Sequence, residues 1–180
     1  MCLASEERKR GLHMYKKILV PLDGSELAEC ALPHAEELAR KCGTDELVLI
    51  SVTEQVRART RAPEARELHG IPYEPDLLVG EPAMTVTFGK KERQAEKYLD
   101  KIADRLEAKG ISVHTEVLAW PPAEAITSYA DENSFDIIVM SSHGRSGSGR
   151  RAYGRVAEKV LKSSPVPVLM VRAPGCIPGK

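Results

Sequence analysis

The stretch from Asp136 to Arg172, DIIVMSSHGRSGSGRRAYGRVAEKVLKSSPVPVLMVR, constrains this chain more than any other. It opens with an apolar run, Ile137 to Met140, which is too short for a helix and rich in β-branched residues, so it predicts a strand buried on both faces. A glycine-rich loop follows at once. Gly144, Gly147, Gly149 and Gly154 are interspersed with hydroxyls and with Arg145, Arg150 and Arg151, so bare backbone N–H groups and positive charge gather directly after a strand. Anions bind such loops. Beyond Gly154 the spacing becomes helical, with Val156, Ala157, Val160 and Leu161 expected on one inward face, and a second apolar run, Val166 to Val171, closes the unit. Strand, glycine loop, helix and strand make a βαβ unit whose ligand crevice lies at the carboxyl end of the first strand.

The same alternation runs through the earlier chain. Tyr15 to Leu22 reads as a first strand, followed by the turn Pro21-Leu22-Asp23-Gly24-Ser25 and a helix whose inward side is Ala28, Ala31, Leu32, Ala35, Leu38 and Ala39. Asp23 or Ser25 caps that helix. Gly43 ends it, and Pro33 inside it predicts a kink, because an interior proline costs about 3 kcal/mol. Glu46 to Val52 is a second strand, Lys90 to Lys109 a helix with Ala95, Tyr98, Leu99, Ile102, Ala103 and Leu106 inward, and Ile111 to Leu118 a third strand with Val113 and Val117 inward. Trp120-Pro121-Pro122 opens a further helix with Ala125, Ile126, Tyr129 and Ala130 inward, and Trp120 reads as packing at the strand–helix corner. Four alternations and a final strand specify a doubly wound α/β domain, a mostly parallel sheet with helices on both faces.

Composition bounds the rest. A 180-residue chain with 42% apolar and 29% charged residues suits one globular domain, set here at residues 14–172. Residues 1–13 form a polar arm, Met14 offers an alternative translation start, residues 173–180 are a tail, and 53–89 form a long, proline-punctuated loop region. The basic run from Arg57 to Arg66 within it reads as solvated surface. Twenty-six basic residues cancel 26 acidic ones, which argues against a general nucleic-acid or anionic-membrane surface. No apolar run approaches the roughly 20 residues that span a bilayer, and no signal-peptide core is present, so the expected location is cytoplasmic. Cys2, Cys30, Cys42 and Cys176 have no metal or redox spacing and read as reduced thiols.

Three phosphate-loop patterns compete after Met140. Gly144 and Gly149 have P-loop spacing, but Arg150 and Arg151 replace its Lys and Ser/Thr. Gly147, Gly149 and Ala152 fit the dinucleotide fingerprint, yet this is the last βαβ unit, and no acidic residue stands about 20 positions on. In the third pattern the stretch resembles the nucleotide loop of the universal stress protein family, G-x-x-G, nine residues, G-[ST], here Ser141-x-x-Gly144, nine residues, Gly154-Arg155. VPLDGSE near the amino terminus and SSPVPVLMVR near the end stand at the separations of that family, and the resemblance covers Tyr15 to Arg172. Two positions depart from the pattern: Ser141 replaces its first glycine and Arg155 its terminal hydroxyl residue.

The resemblance implies strand order 3-2-1-4-5 and an adenine nucleotide, ATP or AMP, with any Mg²⁺ arriving on its phosphates. It implies adenine near Val52 and Met140, ribose near Asp23 beside Pro21 and Leu22, and phosphates against Ser141, His143, Gly144, Arg145, Gly154, Arg155 and Val156. Ser141 then either crowds the phosphates or adds a hydroxyl donor, while Arg155 supplies a guanidinium able to hold phosphate bidentately. His143 is either a phosphate or ribose donor or a structural residue of the loop. No enzyme is expected: Ser141, Ser142 and His143 adjoin, but successive residues should point apart, and no acid partner or metal cluster is evident. The last strand, Val166 to Val171, is apolar on both faces with no helix after it, so it predicts a homodimer through that edge. The expected protein is a stress-response regulator that binds an adenine nucleotide; the alternative is a nucleotide-free dimeric interaction module of the same fold.

Overall fold

The computed structural model describes residues 14–53, 89–119, 121–144 and 152–172. The expectations placed on residues 1–13, on the loop region between Thr53 and Gly89, on Trp120, on Arg145 and on residues 173–180 lie outside the described residues. In chain order the elements are β1 (Lys17–Pro21), α1 (Glu26–Glu29), α2 (Leu32–Cys42), β2 (Glu46–Thr53), α3 (Lys90–Glu107), β3 (Val113–Ala119), α4 (Pro122–Glu132), β4 (Ile137–Ser141), α5 (Arg155–Ser163) and β5 (Val168–Val171). The five strands form one sheet in the order β3-β2-β1-β4-β5, every pair parallel. That is the expected doubly wound arrangement, with β1 and β4 adjacent where the order reverses.

Alternation along the strands builds two cores. Ile18, Val20, Leu47, Leu49, Ile137 and Val139 face α1, α2 and α3, packing with Ala28, Leu32, Ala35, Leu99, Ile102 and Leu106. Leu19, Val48, Ile50, Ile138 and Met140 face α4 and α5, packing with Ala123, Ile126, Ala130, Ala157 and Val160. Strands buried on both faces need apolar residues at successive positions, which is why they read as unbroken runs rather than alternating ones.

Local chemistry sets the helix ends. Gly43 closes α2 at φ 62°, a left-handed conformation that glycine adopts without Cβ strain. The Glu92 carboxylate accepts the Gly89 N–H at 3.0 Å at the start of α3, and Pro122 opens α4 at a position whose N–H needs no intrahelical partner.

Three expectations are corrected. The first helix is broken, not kinked: it splits into α1 and α2 at Cys30–Ala31, and Pro33 lies in the first turn of α2, where its missing N–H has no helical acceptor to lose. In α4, Ala123 rather than Ala125 is fully buried. In α5 only Ala157 and Val160 are buried, whereas Val156 is 36% and Leu161 43% exposed. Lys159 of α5 pairs with Glu124 of α4, and Leu161, about 200° further round the helix, therefore points away from α4. Among the described residues no helix follows α5 to cover that side.

Candidate functional site

The carboxyl ends of β1 and β4 meet at the reversal of strand order, where open α/β sheets bind ligands. β1 delivers Pro21, Leu22 and Asp23. Pro21 is buried and pairs with Ile50, while Leu22 sends its side chain into the core and donates its N–H to the Ile50 carbonyl at 2.8 Å. Both residues fix the strand end, and the first side chain free of the core is Asp23. Its Oδ1 accepts the Ser25 N–H at 3.1 Å and the Ser25 hydroxyl at 2.6 Å, while Ser25 Oγ in turn accepts the Ala28 N–H at 3.1 Å. Ser25 is thus the cap of α1, and Asp23 is held by the cap.

From the other side β4 delivers Ser141, Ser142, His143 and Gly144. The other carboxylate oxygen of Asp23 faces Gly144: a Cβ built on Gly144 would overlap Oδ2 and stand 3.0 Å from Cγ. The two strand ends therefore touch through a glycine that has no room for a side chain. Ser141, Ser142 and His143 are 5%, 2% and 4% exposed. Ser141 Oγ accepts the His143 N–H at 3.4 Å, so the residue in place of the motif glycine turns its hydroxyl onto the loop backbone. Ser142 Oγ lies 3.1 Å from His143 Nδ1, which corrects the expectation that these neighbours point apart. The alternation of a strand ends at Ser141, and beyond it successive side chains are no longer held to opposite faces.

Backbone bonds fix both ends of the glycine loop. Ser142 donates its N–H to the Val171 carbonyl at 2.7 Å and accepts the Gly154 N–H on its own carbonyl at 2.8 Å. Gly154, at φ −65°, is the residue before α5, and no side-chain oxygen caps that helix. The first-turn N–H groups of α5 open toward the β4 end with the positive end of the helix dipole behind them, and Arg155 stands exposed at the first helical position. Val156, in the same turn, is part exposed. On the α4–α5 face, Met140 is buried at the end of β4 and Val52 is half-buried near the end of β2, both against the same core.

The structure thus brings together Asp23, Gly144, Gly154 and the start of α5, and sets Val52 and Met140 on one face. Sequence reasoning missed the Ser142–His143 contact and the role of Ser25 in gripping Asp23. The adjacency of Asp23 and Ser25 in a turn was the available signal for the second. Among the described residues no group of three or more His, Cys, Asp or Glu is placed to hold a metal ion, and no helix is long and apolar enough to cross a membrane. The surface hollow of about 420 Å³ lined by Glu92, Glu96, Asp100, Thr115, Glu116 and Val117 lies between α3 and the edge strand β3, which β2 separates from β1, and is acidic.

Comparison with known proteins agrees with this architecture. Residues 14–172 match the sequence profile of the universal stress protein family. Universal stress protein MJ0531 of Methanocaldococcus jannaschii is 31% identical over 166 residues, spanning 92% of this chain and 87% of its own length. YxiE of Bacillus subtilis, also a universal stress protein, is 31% identical over 159 residues, spanning 88% of this chain and 100% of its own. The solved structure of MJ0577, from the same archaeon as MJ0531, matches with a TM-score of 0.68 at 30% identity, covering 88% of this chain and 96% of that one. A universal stress protein solved in complex with cAMP matches with a TM-score of 0.59 at 21% identity, a likeness of fold. With the motif loop, the strand order and a profile match over almost the whole described chain in agreement, the chain belongs to the universal stress protein family.

Proposed function

We infer that this protein is a cytoplasmic stress-response regulator that binds an adenine nucleotide, ATP or AMP, at the β1–β4 edge, and acts as a homodimer without a catalytic step of its own. One observation carries the reading: Asp23 meets Gly144 across the reversal of strand order, beside a glycine loop whose ends are tied together by the Gly154–Ser142 bond and which opens onto an uncapped helix. A carboxylate next to a set of unpaired N–H groups suits a ligand with hydroxyls at one end and phosphates at the other. Val52 and Met140 would take the base, Asp23 the ribose hydroxyls, and Gly144, Gly154, Arg155 and the first turn of α5 the phosphates. Mg²⁺ would be held by the phosphates. The fold houses an adenine nucleotide in the universal stress protein–cAMP complex, which supports the ligand class.

The direct test is calorimetric titration of the purified chain with ATP and Mg²⁺, together with chromatography of whatever the chain releases on denaturation. Heat of binding, or released adenine nucleotide, is the expected result. Neither heat nor thermal stabilisation at millimolar ATP would leave the nucleotide-free dimeric module as the function. Arg155→Ala should weaken ATP more than adenosine, because in this reading its guanidinium is assigned to the phosphates and not to the nucleoside.

A further inference from the structure

We propose that helix α3 sets the position of Asp23 through Glu29, with Tyr98 and Arg105 as positioning residues, so that ligand affinity at the β1–β4 edge is governed from α3. This rests on the nucleotide reading above and names how that site is regulated.

The reason begins with α1. It is a single turn of four residues, far below the length at which a helix persists unaided, and its one fully buried residue is Ala28. The break at Cys30–Ala31 interrupts the helix before α2, and besides the backbone bonds from Cys30 to Leu27 and from Ala31 to Ala28 its placement depends on what grips its ends. At the amino end the Ser25 hydroxyl accepts from the Ala28 N–H and donates to Asp23 Oδ1, at 3.1 and 2.6 Å. At the carboxyl end Glu29 accepts the Tyr98 hydroxyl at 3.1 Å and faces Arg105 at 3.9 Å. The polar path from α3 to Asp23 therefore runs through a hydrogen bond, an ion pair and one turn of helix, beside the apolar packing of Ala28 in the core it shares with α3.

Tyr98 is the stronger of the two anchors. The Arg105 side chain is 60% exposed, and at 3.9 Å its pairing is screened by water. Tyr98 is half-buried, and burial, the charge of Glu29 and its hydrogen bond, then the charge of Asp23, all hold its hydroxyl protonated well above the usual tyrosine range. It is a donor at any physiological pH, and the field of Asp23 reaches it.

The experiment uses the full chain and two readouts. Calorimetry with adenosine and with ATP compares wild type, Tyr98→Phe, Glu29→Ala and Glu29→Gln. Tyr98→Phe keeps the ring and removes the donor, so it and Glu29→Ala should weaken both ligands alike, about three- to tenfold, as the loss of one hydrogen bond implies. Glu29→Gln keeps an oxygen that accepts from Tyr98 and should recover most of the affinity. Wild-type affinity in Tyr98→Phe, or a loss confined to ATP, overturns the inference. The second readout needs no ligand: amide hydrogen exchange at Ser25 and Ala28, followed by NMR, should quicken in Tyr98→Phe while the amides of β4 keep their protection. Unchanged exchange at Ser25 and Ala28 overturns the inference. Failure of the wild type to bind either ligand overturns the nucleotide reading instead, and the exchange result still decides whether α3 holds Asp23.

Discussion

Gly144 and Gly154 occupy equivalent-looking places in the loop motif, yet they answer to different physics. Gly144 is fixed by the protein itself, because any Cβ there overlaps the Asp23 carboxylate, and that carboxylate is held by two bonds from Ser25. Gly144→Ala should therefore displace Asp23 and cost roughly 1.5–3 kcal/mol of stability, the worth of hydrogen bonds to a charged group. In an Asp23→Ala background the same substitution should cost almost nothing, and a double-mutant cycle by urea unfolding measures the difference. Additive costs would show that Gly144 is constrained by something other than Asp23. Gly154 has ordinary space, with a built Cβ 3.5 Å from the Ser142 carbonyl oxygen and 3.7 Å from the His143 Cα, and its φ suits any residue. A serine there would fit and could cap α5. Gly154→Ser should raise stability by roughly a few tenths of a kcal/mol, while weakening ATP because the hydroxyl then occupies an N–H that phosphate needs. A variant that is more stable and binds as tightly as wild type would remove α5 from the site.

At the scale of elements, the break between α1 and α2 reverses the sign of a simple substitution. Were Pro33 interior to one helix, Pro33→Ala would relieve about 3 kcal/mol; at the second position of α2 proline only restricts the unfolded chain, so the same change should lower stability by up to about 1 kcal/mol. Thermal unfolding of the two proteins gives the sign directly. This break was not legible in the sequence, because Ala28, Ala31, Leu32 and Ala35 keep helical spacing across it and all end up buried. The strands and long helices were legible for the opposite reason: Leu99, Ile102, Ala103 and Leu106 recur at helical spacing and lie on the one buried face of α3. In α5 the apolar stripe is wider than the surface beneath it, so periodicity marked the helix and overstated its inward face. The site shows the same division. Asp23, Gly144 and Gly154 were marked by motif and by sheet topology, whereas the Ser142–His143 and Tyr98–Glu29 contacts depend on side-chain directions that spacing does not encode.

For the whole molecule, the sheet leaves its two edges unequal. β3 at one edge carries His114, Thr115 and Glu116, charged and polar side chains of the kind that discourage pairing with another chain. β5 at the other edge is Val168-Leu169-Met170-Val171, paired with β4 on one side only, with Leu169 36% exposed on the α1–α3 face beyond the reach of those helices and Leu161 43% exposed on the side of α5 away from α4. Among the described residues this apolar edge of four residues, flanked by exposed leucines on both faces, is a surface that gains from a two-fold mate. Antiparallel pairing of β5 with its copy would satisfy the outer backbone groups and bury both leucines in an isologous interface. Light scattering at micromolar concentration should then give twice the 19.8 kDa chain mass. Leu169→Lys, which puts a charge on the open face without touching Val171 or the core, should move the mass toward the monomer and leave the unfolding of each chain cooperative. A wild-type monomer at that concentration, or a Leu169→Lys dimer as tight as wild type, would place any self-association elsewhere than β5.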